Sequence, residues 1–157
     1  MKNLIILVGN IGCGKSTLSK KLAKQGYSIV CRDAFRYMIG AGEYIFDIKR
    51  EPAVKRAAEV TLESFLQREL NIVCDETNVS KAMRKPLIEL GLKYKYNISV
   101  IELPRLTKRK AVNRRMKSPH GRFGKDVWEN IWDRFNLIYE APETNEGINR
   151  IKRINKC

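Results

Sequence analysis

The sequence predicts an α/β fold, a parallel sheet of four or five strands with helices on both faces. Three observations point there. Short apolar runs of strand length alternate along the chain with segments whose apolar residues recur at helical spacing. The first run, residues 4–8, leads directly into a glycine-rich turn and then a helix. The third, residues 70–75, ends in the acid Asp75, and ligands of open α/β sheets bind at the carboxyl ends of the strands.

Leu4-Ile5-Ile6-Leu7-Val8 is continuously apolar, as a strand buried on both faces should be. The next residues, Gly9-Asn10-Ile11-Gly12-Cys13-Gly14-Lys15-Ser16, fit G-x-x-x-x-G-K-[ST], a phosphate-binding loop. Gly9, Gly12 and Gly14 let the backbone approach phosphate oxygens and turn its N–H groups inward. The helix that begins with Thr17 aims its positive end at the same anion. Lys15 can reach the β- and γ-phosphates of ATP, and the Ser16 hydroxyl can coordinate Mg²⁺, with Asp33 or Asp75 acting through water. Cys13 reads as a small filler within the loop. The nucleotide-binding set is therefore Gly9, Gly12, Cys13, Gly14, Lys15, Ser16 and Thr17.

The first helix should end near Gln25-Gly26, and residues 27–31 read as a second strand. Arg32-Asp33 follows at that strand's carboxyl end. Asp33 is placed to accept a proton from an incoming hydroxyl, and equally to serve as the N-cap of a helix through Met38. Gly40-Ala41-Gly42 breaks the pattern, and residues 43–50 carry no clear period. Glu51-Pro52 opens a third helix, with Val54, Ala58, Leu62 and Leu66 at helical spacing to about residue 69. Asp75, ending the third strand, suits Mg²⁺ or its water shell. Ser80 caps a helix that should stop at Gly91, with Pro86 predicting a late first turn or a kink. Residues 96–103 form a fourth strand.

From Thr107 the chain turns basic, through Lys108, Arg109, Lys110, Arg114, Arg115, Lys117, Arg122 and Lys125. Two helices joined by the elbow Ser118-Pro119-His120-Gly121 would make a mobile basic lid, whose arginines can neutralise a departing γ-phosphoryl group. His120, the only histidine, lies on a polar loop with no evident partner and is given no catalytic role. Residues 147–154 alternate as a last strand. No repeat or linker divides the chain, so residues 1–157 are expected to form one domain.

The composition, 43% hydrophobic and 31% charged, is that of a soluble globular protein. No run reaches membrane-spanning length, and the first residues make a strand rather than a leader, so a cytoplasmic protein without membrane contact is expected, in its own cell or in the host of a virus. Cys13, Cys31, Cys74 and Cys157 lack C-x-x-C spacing, which speaks against a zinc site or a disulfide framework. Thirty-one Lys and Arg against 17 Asp and Glu give a net charge of +14. A kinase of small metabolites has no need of this, whereas a protein that lies along a phosphodiester backbone does.

With these residues located, the chain resembles the polynucleotide 5′-hydroxyl kinases, both the phage type and the kinase domain of animal end-processing enzymes. The resemblance rests on the phosphate loop through Thr17, Gly26-Tyr27 leading to Arg32-Asp33, and Asp75-Glu76-Thr77-Asn78. It continues through Asn113-Arg114 in the basic segment and Tyr139-Glu140-Ala141-Pro142 with Glu146-Gly147. It implies a P-loop kinase fold, ATP and Mg²⁺ as cofactors, and the 5′-hydroxyl end of DNA or RNA as acceptor. Asp33 would be the general base and Arg36 would bind the acceptor's phosphate. Asp75 would shape the acceptor site, with Glu76 as the alternative. Arg32, Arg36, Asn78 and Arg84 would line the acceptor side. Arg114, Arg115 and Arg122 are all candidates for the lid arginine, since the Arg-x-x-x-Arg spacing of the phage type does not recur from Arg114. No appended phosphatase or ligase segment is present, so removal of a 3′-phosphate is not expected. The competing functions are a kinase of another hydroxyl, on a modified base, a nucleoside or another small molecule, and a nucleic-acid-stimulated ATPase.

Overall fold

The computed structural model describes residues 2–155. Five strands, β1 (Asn3–Val8), β2 (Ser28–Val30), β3 (Ile72–Cys74), β4 (Asn97–Glu102) and β5 (Arg150–Arg153), form one sheet in the order β2-β3-β1-β4-β5. Every pairing is parallel. The helices are α1 (Lys15–Ala23), α2 (Arg32–Ile39), α3 (Glu51–Gln67), α4 (Lys81–Lys93), α5 (Lys108–Lys117) and α6 (Lys125–Leu137). The sheet thus reaches the upper strand number expected, with helices on both faces.

β1 is central because it is the strand with no polar side chain between Leu4 and Val8. Its side chains alternate between the two faces, as the period of two requires. Leu4, Ile6 and Val8 join Leu62 and Leu66 of α3 and Ile88 of α4 on one side. Ile5 and Leu7 meet Val73 and the α1 residues Leu18 and Leu22 on the other. A third, smaller core places Ile11 of the glycine-rich loop against Ala111 and Val112 of α5 and Trp128 of α6. No helix among the described residues is long and apolar enough to cross a membrane. Cys13, Cys31 and Cys74 are free thiols, and Cys157 lies outside the described residues.

Several expectations change. α4 runs through both Pro86 and Gly91. Gly91 is a packing residue rather than a stop, because a Cβ there would lie 2.8 Å from Leu4 Cδ2 and 3.1 Å from Ile98 Cδ1. The helix ends instead at Tyr94, followed by Lys95 with φ +59°. Ser80 does cap α4, its hydroxyl accepting from the Met83 N–H at 3.3 Å. The last strand is shorter than expected, since Gly147, at φ +94°, closes a 3₁₀ turn over Thr144–Glu146.

Arg84 does not line an acceptor channel. It is 0% exposed, and its guanidinium donates to both Glu146 carboxylate oxygens at 2.8 Å and to the Asn78 and Glu140 carbonyls at 3.0 Å. It ties the segment after α6 to α4. Asn78 is likewise internal. At φ +47° its side chain donates to the Leu7 carbonyl at 2.9 Å, joining the end of β3 to β1.

Burial alone would raise the Glu146 carboxyl, but the Arg84 hydrogen bonds, the Glu143 N–H and the Arg84 charge outweigh it and hold it below the ordinary carboxylate value. Glu146→Gln, which leaves the buried guanidinium without a counter-charge, is expected to destabilise the fold by about 3–5 kcal/mol in urea unfolding at neutral pH. Because the folded-state value is depressed, this stabilisation is present above the unfolded value of about 4.3 and is lost as pH falls through the folded one. The variant's acid unfolding limb should therefore be shallower than that of the wild type. Equal stability of the two proteins at neutral pH would show that the pair contributes nothing.

Candidate functional site

The carboxyl ends of β1, β2, β3 and β4 deliver the glycine-rich loop, Arg32-Asp33, Asp75-Glu76 and the root of α5 to one edge of the sheet. This edge is where an α/β sheet binds ligands. In the loop, Gly12 and Gly14 have φ +68° and +101°, a region that favours glycine. Gly12 is also constrained by a neighbour, since a Cβ on it would lie 2.3 Å from the Ala111 carbonyl oxygen of α5. Cys13 is buried behind the loop with Leu7, Val73 and Leu103, which suits a filler. Lys15 arches back over the loop, Nζ donating to the Gly9 and Asn10 carbonyls at 2.9 Å. Ser16 and Thr17 are exposed in the first turn of α1.

The two acids after β3 face different ways. Asp75 accepts from Ser19 Oγ of α1 at 2.8 Å, on the loop side. Glu76 takes Arg32, accepting from its backbone N–H at 2.6 Å and from Nε at 2.9 Å. Glu76 is thus the acid beside Arg32 and α2, and Asp75 the acid beside the loop helix.

Asp33 is not the N-cap of α2. Cys31 holds that position, and Asp33 sits inside the first turn with its carboxylate turned into a network. Its Oδ1 accepts from Arg36 Nη1 at 2.5 Å and from the Tyr44 hydroxyl at 3.0 Å. Arg36 is in turn gripped by Glu51 at the start of α3, with Nε to Oε1 at 2.9 Å and Nη2 to Oε2 at 2.6 Å. Four of the five guanidinium N–H groups are thereby engaged, counting the Nη1 contact to Tyr44 at 3.3 Å. Arg36 therefore does not stand open to a phosphate; it holds Asp33.

His120 completes the network from the lid elbow. Its Nε2 lies 3.3 Å from Asp33 Oδ2, its Nδ1 is 2.9 Å from the Tyr37 hydroxyl, and its ring stacks on Tyr44 with centroids 5.0 Å apart. This histidine lacked any partner in the sequence because its contacts are 76 to 87 positions distant, and no local pattern foretells them.

Burial alone would raise the Asp33 carboxyl; the charges of His120 and Arg36 and the hydrogen bonds of Arg36 and Tyr44 outweigh it and bring it below the ordinary value. Burial lowers His120, partly opposed by Asp33. A histidine held low is neutral at pH 7, so Arg36 is then the charge that keeps Asp33 ionised. Cys31 beside them is pushed up to about 12, first by burial and then by Glu76, Asp33 and Asp75, and stays an inert thiol.

Of the lid arginines, Arg114 and Arg122 project into solvent. Arg115 is half-buried, 5.1 Å above the Trp128 ring, and its Nε is a buried donor with no hydrogen-bond partner among the described residues.

Residues 4–142 match the sequence family described as AAA domain. Four solved structures with the same fold are similar to this chain. A chain of the Pnkp1/Rnl/Hen1 RNA repair complex is 25% identical, with TM-score 0.70 over 87% of this chain and 44% of its own length. A second structure of the Pnkp1/Rnl/Hen1 complex is matched over 38% of its chain, so this protein spans less than half of those relatives. A gluconokinase from Sinorhizobium meliloti is 18% identical, with TM-score 0.57 over 98% of this chain and 82% of its own. Chaetomium thermophilum Kti12 in complex with ADP-AlF3 is 19% identical, with TM-score 0.60 over 97% and 88%.

The contact at Gly12 yields a direct test. Gly12→Ala must move the Ala111 carbonyl and adopt a strained φ, so ATP affinity should fall more than tenfold and α5 should loosen. Gly26→Ala is the control. It has φ +92° but nothing within 4 Å of its Cβ, and should cost about 1–2 kcal/mol of stability with affinity unchanged. Unaltered ATP binding in Gly12→Ala, measured by calorimetry, would disprove the close approach.

Proposed function

The chain belongs to the AAA domain family, and from that membership and its P-loop kinase-like fold we propose that it is an ATP-dependent polynucleotide 5′-hydroxyl kinase. The observation that carries this reading is Asp33, an ionised carboxylate at the end of β2 whose side chain remains 34% exposed. β2 lies two strands from β1. Adjacent strands are about 4.8 Å apart, so about 10 Å separates Asp33's strand from the one that carries the phosphate loop. That span accommodates a γ-phosphoryl group with an attacking hydroxyl in line. A nucleotide hydrolase needs a residue to position water, whereas an acceptor base at this distance suits transfer to a hydroxyl.

In this mechanism the loop N–H groups and Lys15 hold the β- and γ-phosphates. Ser16 and Asp75 supply the hard oxygen donors that Mg²⁺ prefers, directly or through water, and the ion when bound neutralises phosphate charge. Asp33 aligns the 5′-hydroxyl and accepts its proton as the oxygen bonds to the γ-phosphorus and the bond to the β-bridging oxygen breaks. Of the candidates Arg114, Arg115 and Arg122, Arg115, whose Nε has no partner among the described residues, is the lid arginine assigned to the transferring group. Arg36 orients Asp33 rather than gripping a phosphate. The strand's own phosphates would then meet the exposed lid residues Arg109, Lys110, Arg114, Lys117 and Arg122. The net charge of +14 and the likeness to a chain of an RNA repair complex support a polymeric acceptor.

The test uses labelled ATP with a 5′-hydroxyl oligonucleotide beside the same strand already 5′-phosphorylated. Label should enter only the first, and the acceptor KM should rise steeply with salt, as displaced counterions require. Lys15→Ala should abolish transfer, and Asp33→Asn should lower kcat by about 10²–10⁴ with ATP binding kept. Phosphate release without labelled strand would indicate an ATPase, and a salt-independent KM a small-molecule acceptor.

A further inference from the structure

We propose that His120 is a positioning residue that latches the closed lid to the catalytic carboxylate, so that Asp33 is correctly aimed only when the elbow is down. The proposal rests on Asp33 being the acceptor base.

Three contacts define the latch. The Tyr37 hydroxyl and His120 Nδ1 are 2.9 Å apart, and His120 Nε2 is 3.3 Å from Asp33 Oδ2. For a neutral imidazole only one arrangement satisfies both. Tyr37 donates to Nδ1, which leaves the proton on Nε2, facing Asp33 Oδ2 across a 3.3 Å contact in which the ionised carboxylate can only accept. Stacking on Tyr44 fixes the ring plane, and Tyr44 itself donates to the other oxygen of Asp33.

The carboxylate is thus hydrogen-bonded by Arg36 and Tyr44 on Oδ1 and approached by His120 Nε2 on Oδ2. Without His120, Oδ2 has no donor in the structure and the carboxylate can rotate about its last bond. Arg36, Tyr44 and Tyr37 all come from α2 and the segment that follows it, whereas His120 comes from the loop between α5 and α6. Only His120 thus makes the orientation of the base depend on the lid. The remaining neighbours do not substitute for it. The Trp128 ring stands 6.5 Å from that of His120 and tilted, and Arg115 lies over the Trp128 face without a hydrogen bond to Asp33 among the described residues.

Two variants separate the hydrogen bond from the ring. His120→Phe keeps an aromatic surface against Tyr44 and loses the donor. His120→Gln loses the ring and keeps an amide N–H at a reach similar to Nε2. Two readouts are needed, each on protein whose thermal midpoint shows it to be folded. In the absence of any acceptor, tryptic cleavage after Arg122 in the elbow should accelerate severalfold in His120→Phe and return toward the wild-type rate in His120→Gln. With ATP and a 5′-hydroxyl oligonucleotide, His120→Phe should lower kcat by about 10- to 100-fold, the range for losing one hydrogen bond to a charged group, with the KM for ATP unchanged. His120→Gln should recover most of that loss. In an Asp33→Asn background the Phe substitution should cost little more, because both act through one carboxylate.

Wild-type cleavage and turnover in His120→Phe would overturn the latch, as would a Gln variant no better than Phe. A wild-type protein that protects the elbow in this His120-dependent way, yet labels no oligonucleotide, would leave the latch standing and refute the acceptor assignment.

Discussion

An arginine removed from water has to be met by an acid, and this constraint sorts the charges of the whole chain. Arg84 is met by Glu146, Arg36 by Glu51 and Asp33, Arg32 by Glu76, and the buried Glu102 by Arg153 and Tyr139. With 17 acids against 31 bases, the acids engaged inside leave the exterior strongly cationic. Lys15 is an exception, as is the half-buried Arg115 with its unpartnered Nε. At 9% exposure Lys15 is met by two carbonyls and, at 3.8 Å, a thiol, and by no acid among the described residues. A buried ammonium without a counter-charge is poised for an anion, and it lies in the loop whose form suits phosphate.

The same sorting gives the site an uneven field. Around Asp33, the acids Asp33, Glu51 and Glu76 outnumber Arg32 and Arg36, while every charged residue of α5 and the elbow is basic. A polyanion is attracted to the lid and repelled from the base. Such a field would draw an anionic partner to the exposed bases of α5 and the elbow rather than to the acids around Asp33, so charge attraction and local geometry fall to separate residues.

The fold was legible because its signals are local. Period-two and period-3.6 patterns, the glycine loop and the cap at Ser80 each declare themselves within a few residues. What stayed hidden depends on distant partners. Gly91 reads as a stop until Leu4 and Ile98 are brought against it. Arg84 and Asn78 read as ligand-facing until β1 and the segment after α6 close over them. Asp33 reads equally as a cap or a base, and the cap reading falls away only once Cys31 is seen to take that position while Arg36, Tyr44 and His120 converge on the carboxylate. Glu51 offered only a helix start, and its grip on Arg36 across 15 residues follows from how α3 docks on α2.

The approach of Gly12 to the Ala111 carbonyl has a mechanical meaning. It is made through main chain on the α5 side, so no rotamer can relieve it. The Asn10 side chain, donating to the Trp132 carbonyl at 3.0 Å, adds a second rivet between the same bodies. The glycine loop and the bases of α5 and α6 are thus one rigid block, and any opening motion has to be absorbed by the short 118–124 stretch between the two helices. Segments that share such a block open to solvent together. Amide exchange in the loop should therefore keep the tempo of α5, and a binding event that stiffens the loop would be felt at the far end of the lid without any hinge at its root.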